Sequence, residues 1–418
     1  MPDNWEWCRF GSYTLNRDNE RKPVSSVQRK KAKKMYDYYG ASGVIDQTDS
    51  FLFDEKLLLI GEDGANLLTR TKPIAFLADG KYWVINHAHC IDSIDKRLLE
   101  FICIYINAIN LFQYITGSAQ PKLNQDNMIR ILIPIPPKAE QEKILERIKI
   151  ILSNINDIDL LKGKLQSNIA NAKSKILDLA IRGKLVPQDP NDEPASVLLE
   201  RIKAEKEELI KQGKIKRDKK ESVIFKGDDN SYYQNLPENW EVTTLRELTS
   251  SLTLNDGDWI LSENMTTNGE VKLLQLGSIG NMIYIDNGFK YLTKSTFNKL
   301  SCTEIFPGYL LINRIISDKM CCCIVPDIAG TIITTVDTCW IAPSNTSYNV
   351  KFLMYQLASP IFQSVVLLNA TGTTRKRISK NNLINLQLLL PPLTEQKRIV
   401  EAIETIFAEL DEISKQVT

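Results

Sequence analysis

The sequence predicts an α+β protein: two globular domains in an approximate twofold repeat, separated by long antiparallel coiled-coil helices. Three observations carry this expectation. The chain repeats itself, each repeat leads into a heptad-patterned helix, and the middle of each repeat reads as short apolar strands punctuated by Gly and Asp. The 418 residues leave room for two or three domains, and 43% apolar with 25% charged residues is the balance of a folded protein.

The repeat comes first in the chain. Pro2-Asp-Asn-Trp5-Glu6 recurs as Pro237-Glu-Asn-Trp240-Glu241. Gly117-Ser-Ala-Gln120 recurs as Gly372-Thr-Thr-Arg375, and Pro136-Pro137-Lys-Ala-Glu140-Gln141 recurs as Pro391-Pro392-Leu-Thr-Glu395-Gln396. The front halves are 235 residues apart and the back halves 255, so the second repeat is 20 residues longer in its middle. The middles share no obvious sequence: 57–64 and 81–89 in the first, 271–280 and 308–314 in the second. A common frame with different contents suits two readers of two different targets. The expected domains are 1–137, a central helical region 138–226, 227–392, and a C-terminal helix 393–418.

Next come the helices. Ile144, Ile148, Ile151, Ile155, Ile158, Lys162, Leu165, Ile169, Ala172, Ile176 and Leu179 alternate steps of four and three. Only Lys162 breaks this apolar seam, which specifies a coiled coil over 140–182. Ile399, Ile403, Ile406, Leu410, Ile413 and Val417 repeat the register. The paired prolines launch each helix, and Glu140 and Glu395 suit its positive first turn. Two seams in one chain are expected to bury each other. The alternative is that each helix packs on its own globular unit. The second seam is shorter, which leaves half of the first for another chain or for a missing stretch. A Pro-rich linker, 183–194, a charged helix, 195–211, and a lysine-rich connection, 214–226, lead into the second repeat.

A search for chemistry returns no catalytic residue. The chain has no Gly-rich phosphate cradle and no Asn-Pro-Pro-Tyr-like methyltransferase motif. His87 and His89, beside Cys90, form the one conceivable metal nucleus, and no further ligand set stands near them, so no metal site is assigned. The acids Asp54, Glu55, Glu62 and Asp63 read as loop charges. Eight cysteines without a Cys-x-x-Cys pair read as reduced thiols of a cytoplasmic protein; Cys321, Cys322 and Cys323 alternate faces if they form a strand. The N-terminus has no basic-then-apolar leader, and no run approaches the ~18 apolar residues of a membrane span. The most apolar segment, 101–115, contains Asn107, Asn110 and Gln113 and reads as a packed helix.

A net charge of +1 does not by itself announce a nucleic-acid binder. Basic residues nevertheless cluster. A duplex reader needs cations on phosphates and Arg, Lys, Asn or Gln at base edges. The candidates are Arg29, Lys30, Lys31, Lys33 and Lys34 in the first repeat, and Asn313, Arg314, Arg375, Lys376 and Arg377 in the second. For the charge runs the other reading is a solvated surface; for Arg314 it is a buried cation paired with an acid.

The repeated Pro-Pro-x-x-Glu-Gln helix starts, the glycine elements before them, Trp5 and Trp240, and the central 181–194 and 198–206 together resemble the specificity subunits of type I restriction-modification systems. The resemblance covers nearly the whole chain. It implies two target-recognition domains that read the halves of a split, asymmetric double-stranded DNA site, with the helices as a ruler. It implies two methyltransferase subunits carrying S-adenosylmethionine, and motor-nuclease subunits using ATP and Mg, with no cofactor on this chain. Family members usually continue the second helix through an element like 174–185, which is absent here. The rival reading is a scaffold that binds only proteins through its coiled coil.

Overall fold

The computed structural model describes the chain except residues 1, 26, 28, 30–32, 118, 218–235 and 418. Lys30, Lys31 and residues 218–226 of the lysine-rich connection therefore lie outside the described residues. The chain divides into two compact units, 1–160 and 161–418.

In the first unit an antiparallel sheet has the order Leu15–Asn16, Ala88–Asp92, Leu57–Gly61, Ala75–Ala78. A second sheet has the order Gly43–Thr48, Tyr36–Gly40, Lys81–Val84, Phe53–Asp54, with the middle two strands parallel. The strand Leu57–Gly61 is buried at every residue. Leu58 and Ile60 pack with Leu99, Ile102 and Ile106 of helix Lys96–Ala108, while Leu57 and Leu59 pack with Phe53, Tyr82 and Val84 of the second sheet. Burial on both faces is why this strand is an unbroken apolar run rather than an alternating one. Asn107, the polar break in the apolar segment, accepts the N–H groups of Ile74 and Ala75 and donates to Ala75 O, tying helix to strand.

The second repeat builds the same sheet from unrelated sequence: Leu254–Asp256, Thr338–Ile341, Leu310–Asn313, Cys322–Ile324, again antiparallel. Its other sheet, Lys290–Leu292, Val271–Leu274, Thr331–Thr334, again contains one parallel pair. Cys322 faces the large core, and Cys321 and Cys323 face the smaller one behind it. All eight cysteines are free. In each repeat a two-stranded ladder brings the chain to the helix start, Glu6–Arg9 with Leu132–Ile135 and Glu241–Thr244 with Gln387–Leu390. Gln141 Nε2 then donates to Pro136 O (2.8 Å), and Gln396 Nε2 donates to Pro391 O (2.9 Å).

The first long helix, Lys138–Ile181, has 44 residues; the second, Leu393–Val417, has 25. They run antiparallel where they meet: Lys173 pairs with Asp411 at 2.5 Å, and past the helix end Gln188 reaches back to Glu395 at 2.6 Å. Lys173 also lies over the Phe407 ring. Ile169, Leu177, Ala180 and Ile181 are buried on this stretch, with Ile399 and Ile403 buried opposite in the same core as Leu177 and Ala180. The seam is therefore not buried along its length. Ile144, with its neighbour Leu145, packs on the first repeat's own core, whereas Ile151 (48%), Ile155 (47%) and Ile158 (52%) stand half exposed. Ile413 at the far end of the second helix is likewise exposed. The reason is reach, since 25 residues span about 37 Å and 44 span about 66 Å. Within the paired stretch the buried residues Leu177 and Ala180 sit one place on from the heptad positions Ile176 and Leu179, the drift expected of a straight helix against a seven-residue pattern.

The first helix ends at Gly183, whose φ is +65°. The N–H of Lys184 bonds Leu179 O, and a Cβ on Gly183 would stand 2.5 Å from Pro237. The linker then docks on the second helix start: Thr394 and Arg398 hold Asp192 (2.5 and 2.6 Å), and Gln188 and Trp240 share Glu395. Burial pushes the Glu395 carboxyl above its ordinary value, against the pull of the Trp240 and Gln188 hydrogen bonds. In the first repeat the Trp5 indole N–H, buried against Phe101, has no partner among the described residues. A helix, Ala195–Lys211, follows the linker; it buries Leu198 and Ile202 and sends Lys206 Nζ onto the carbonyls of Arg246 and Glu247.

Candidate nucleic-acid interface

The glycine elements that recur in sequence also recur in shape. In the first repeat Thr116 and Lys122 exchange backbone bonds (Thr116 N to Lys122 O 2.8 Å, Lys122 N to Thr116 O 2.7 Å) and close a hairpin. In the second, Thr371 and Arg377 do the same at 2.9 and 2.8 Å. Gly117 and Gly372 turn the chain at φ +85° and +103°, and a Cβ on either would sit 2.4 and 2.5 Å from the carbonyls of Gln120 and Arg375. Only glycine suits that combination of dihedral and space. Behind each loop Asn124 and Ser379 cap a short helical turn, accepting from Asn127 N and Asn382 N. Each hairpin is thus a rigid support carrying a replaceable tip.

The tips differ. In the second repeat Thr373, Thr374, Arg375, Lys376 and Arg377 are all exposed. Arg377 is tied to Asp337 at 2.9 Å, and Lys376 and Arg377 pair as a strand with Ile315 and Ile316. In the first repeat Ala119, Gln120 and Lys122 are among the exposed described residues, with Lys122 Nζ 3.1 Å from Glu62. Gln120 and Lys122 were absent from the candidate residues drawn from charge clusters. The repeat alignment could have found them, because they occupy the places of Arg375 and Arg377.

The other candidates fare differently. Arg314 is 3% exposed and points inward: it pairs with Asp256 (3.2 Å) and donates to the carbonyls of Ile378 and Val336. It is the buried cation with its acid, not a side chain presented to solvent, because the strand end that carries it is roofed by the hairpin. Asn313 turns its Oδ1 onto Ile315 N (2.9 Å) and shapes the strand end. Arg29 stacks over Tyr38 and pairs with Asp46 (3.0 Å); Lys34 reaches the same carboxylate at 2.5 Å. Lys34, the Gln47 N–H and Arg29 hold the Asp46 carboxyl far below the usual range. Lys33 is exposed. The first basic cluster is thus partly spent on folding, a division that a string of charges does not reveal.

His89 is buried, with Nδ1 2.6 Å from Asp18 and Nε2 2.8 Å from Leu123 O. Both nitrogens are thus engaged by groups of the fold itself. His87 lies outside the strand and pairs with Asp63 at 2.7 Å. The acids near them are likewise occupied: Glu55 by Arg17 and Lys96, Glu62 by Arg21 and Lys122. Among the described residues no helix is long and apolar enough to cross a membrane by itself.

Residues 2–167 and 237–418 match the model of a family described as the type I restriction modification DNA specificity domain. The specificity subunit of the type I restriction enzyme EcoEI of Escherichia coli is 31% identical over 253 residues, 59% of this chain and 41% of that protein. The chain thus spans about two fifths of that relative's length. A chain in a solved type I R-M system, described for its complex assembly and conformational transition, superposes with a TM-score of 0.60 at 15% identity, covering 100% of this chain and 93% of that one. The crystal structure of the HsdS subunit from Thermoanaerobacter tengcongensis gives 0.51 at 15% identity, covering 100% and 96%. These two share the fold.

Proposed function

The chain belongs to the family of type I restriction-modification DNA specificity domains, and from that premise we propose that it is the DNA-reading, non-catalytic subunit of such an enzyme. Each repeat reads one half of a split, asymmetric duplex site. The helices set the unread gap. Adenine methylation and ATP-dependent cleavage belong to partner subunits in the cytoplasm: two methyltransferases that carry S-adenosylmethionine, and motor-nucleases that use ATP and Mg.

One observation carries this reading: the same glycine-turned hairpin is built twice, 255 residues apart, on matching sheets but with different exposed tips. Backbone contacts position a reader and side chains at base edges specify sequence, so a constant support with a variable tip is the arrangement two half-site readers need. Thr373, Thr374, Arg375 and Lys376 offer hydroxyl and cationic donors; Gln120 and Lys122 offer an amide and an ammonium. The half-exposed Ile151, Ile155 and Ile158 supply an apolar stripe for the methyltransferase partner.

The test is methylome sequencing of a host carrying this chain with its methyltransferase, together with retention of the purified complex on duplex DNA. A split motif that vanishes on deletion of the chain is the expected result, with retention that falls steeply as salt rises because bound cations release counterions. Salt-independent retention with an unchanged methylome would leave only the protein scaffold.

A further inference from the structure

Each hairpin meets its sheet at a partly buried acid paired with a buried basic side chain, and the two basic side chains differ in kind. The sheet registers identify the acids as equivalent. Asn16 pairs with Ile91 and Ile91 with Leu58; in the second repeat Leu254 pairs with Ile341 and Ile341 with Leu310. Two residues on from Asn16 and Leu254 stand Asp18 and Asp256. The carbonyls they help to hold are equivalent too, since Leu123 and Ile378 each follow the closing residue of their hairpin, Lys122 and Arg377.

In the second repeat Asp256 pairs with Arg314, which donates to Ile378 O, and Ile378 N returns a bond to Arg314 O (3.1 Å). In the first repeat Asp18 pairs with His89, whose other nitrogen meets Leu123 O, and Leu123 N bonds Glu62 O (2.8 Å). The imidazole faces a carboxylate on one side and a carbonyl on the other. Both are acceptors, so both bonds form only when each ring nitrogen carries a proton. The other charged groups around the ring are Arg21, which joins Asp18 (3.4 Å) to Glu62 (2.8 Å), and Lys122, which also holds Glu62. Burial works to raise the Asp18 carboxyl, but the His89 bond and charge and the Cys90 N–H hold it below the usual range. Asp18 is therefore held as the anion that the imidazole faces.

We propose that Asp18–His89 and Asp256–Arg314 are positioning pairs that lock the two DNA-reading hairpins, and that the first lock alone opens as pH rises. The inference rests on the proposed DNA-reading function for its consequence, but not for its mechanics. Arginine keeps its charge at every accessible pH, whereas imidazolium loses a proton in the physiological window. On deprotonation one nitrogen must face an acceptor with a lone pair, and the bond to Leu123 O is the neutral-partner bond that gives way. The first hairpin then loosens while the second stays fixed. The reading of one half-site, and not the other, becomes pH-dependent.

Amide hydrogen exchange on the full chain tests this without DNA. Between about pH 5.5 and about pH 8.5, the span over which imidazolium groups titrate, protection of Thr116, Lys122 and Leu123 should fall about tenfold after correction for intrinsic rates, the equivalent of one buried hydrogen bond. Protection of Thr371, Arg377 and Ile378 should hold. His89→Gln, which keeps a donor near the Nε2 position and cannot titrate, should flatten the profile of the first hairpin. His87→Gln, which removes the exposed imidazole beside Asp63, should leave it unchanged. Equal loosening of both hairpins, no loosening of the first, or abolition of the effect by His87→Gln would overturn the proposal. Retention of a random-sequence duplex by the chain with its methyltransferase separates the two levels. No retention at any pH sinks the DNA-reading function and leaves the exchange result to judge the lock. Retention whose pH profile His89→Gln does not alter sinks the positioning role.

Discussion

Arg314 shows how far a residue's type is from its role. Its place after an apolar strand, Leu310–Asn313, suits either a side chain projecting toward a duplex or a buried cation, and the structure has the second. Removing the guanidinium would leave the carbonyls of Ile378 and Val336 without that donor, and the partly exposed Asp256 would face Lys380 (3.7 Å) in its place. Arg314→Met is expected to cost about 1–3 kcal/mol, read as a lowered urea midpoint, whereas Arg375→Met at the exposed tip should change stability by less than about 0.5 kcal/mol. Equal costs at the two positions would contradict the assignment of one to the core and the other to the surface.

Among the elements, the glycine-turned hairpin and the heptad helix behave differently. The hairpin was legible as a repeated Gly-led element, but its shape was not, because a positive φ and a carbonyl at 2.5 Å are properties of a closed turn. Gly372→Ala is expected to destabilise the second hairpin by about 1–3 kcal/mol and to raise hydrogen exchange at Thr371 and Arg377, with the first hairpin unaffected. Unchanged exchange at those amides would count against the turn as described. For the helix, the seam was legible and its partner was not. A heptad pattern states which face is apolar. It does not say whether Ile144 meets its own domain, Ile169 lies buried on the paired stretch, or Ile155 stands in solvent.

At the scale of the whole molecule, the proposed ruler makes a geometric prediction. A seven-residue insertion beside Lys162 keeps the heptad phase and adds about 10.5 Å of helix, roughly three base pairs of duplex. Methylome sequencing should return both half-sites unchanged and the gap between them lengthened. Altered half-site bases with an unaltered gap would mean that the helix does not set the spacing.

By itself the sequence determined what repeats and periodicities encode: two related α+β repeats, the Pro-Pro helix starts and the apolar seams. These are local patterns, and they are legible because side-chain period and turn chemistry act over a few residues. The tertiary structure decided everything that depends on a partner distant in the chain. It folded two unrelated middles into one sheet order, turned Arg314 and His89 inward onto their acids, tied Arg29 and Lys34 to Asp46, and left Arg375 and Lys376 in solvent. The reason is that burial and charge pairing are set by which residues meet across the fold, and a basic residue looks the same in sequence whether its acid lies beside it or water does.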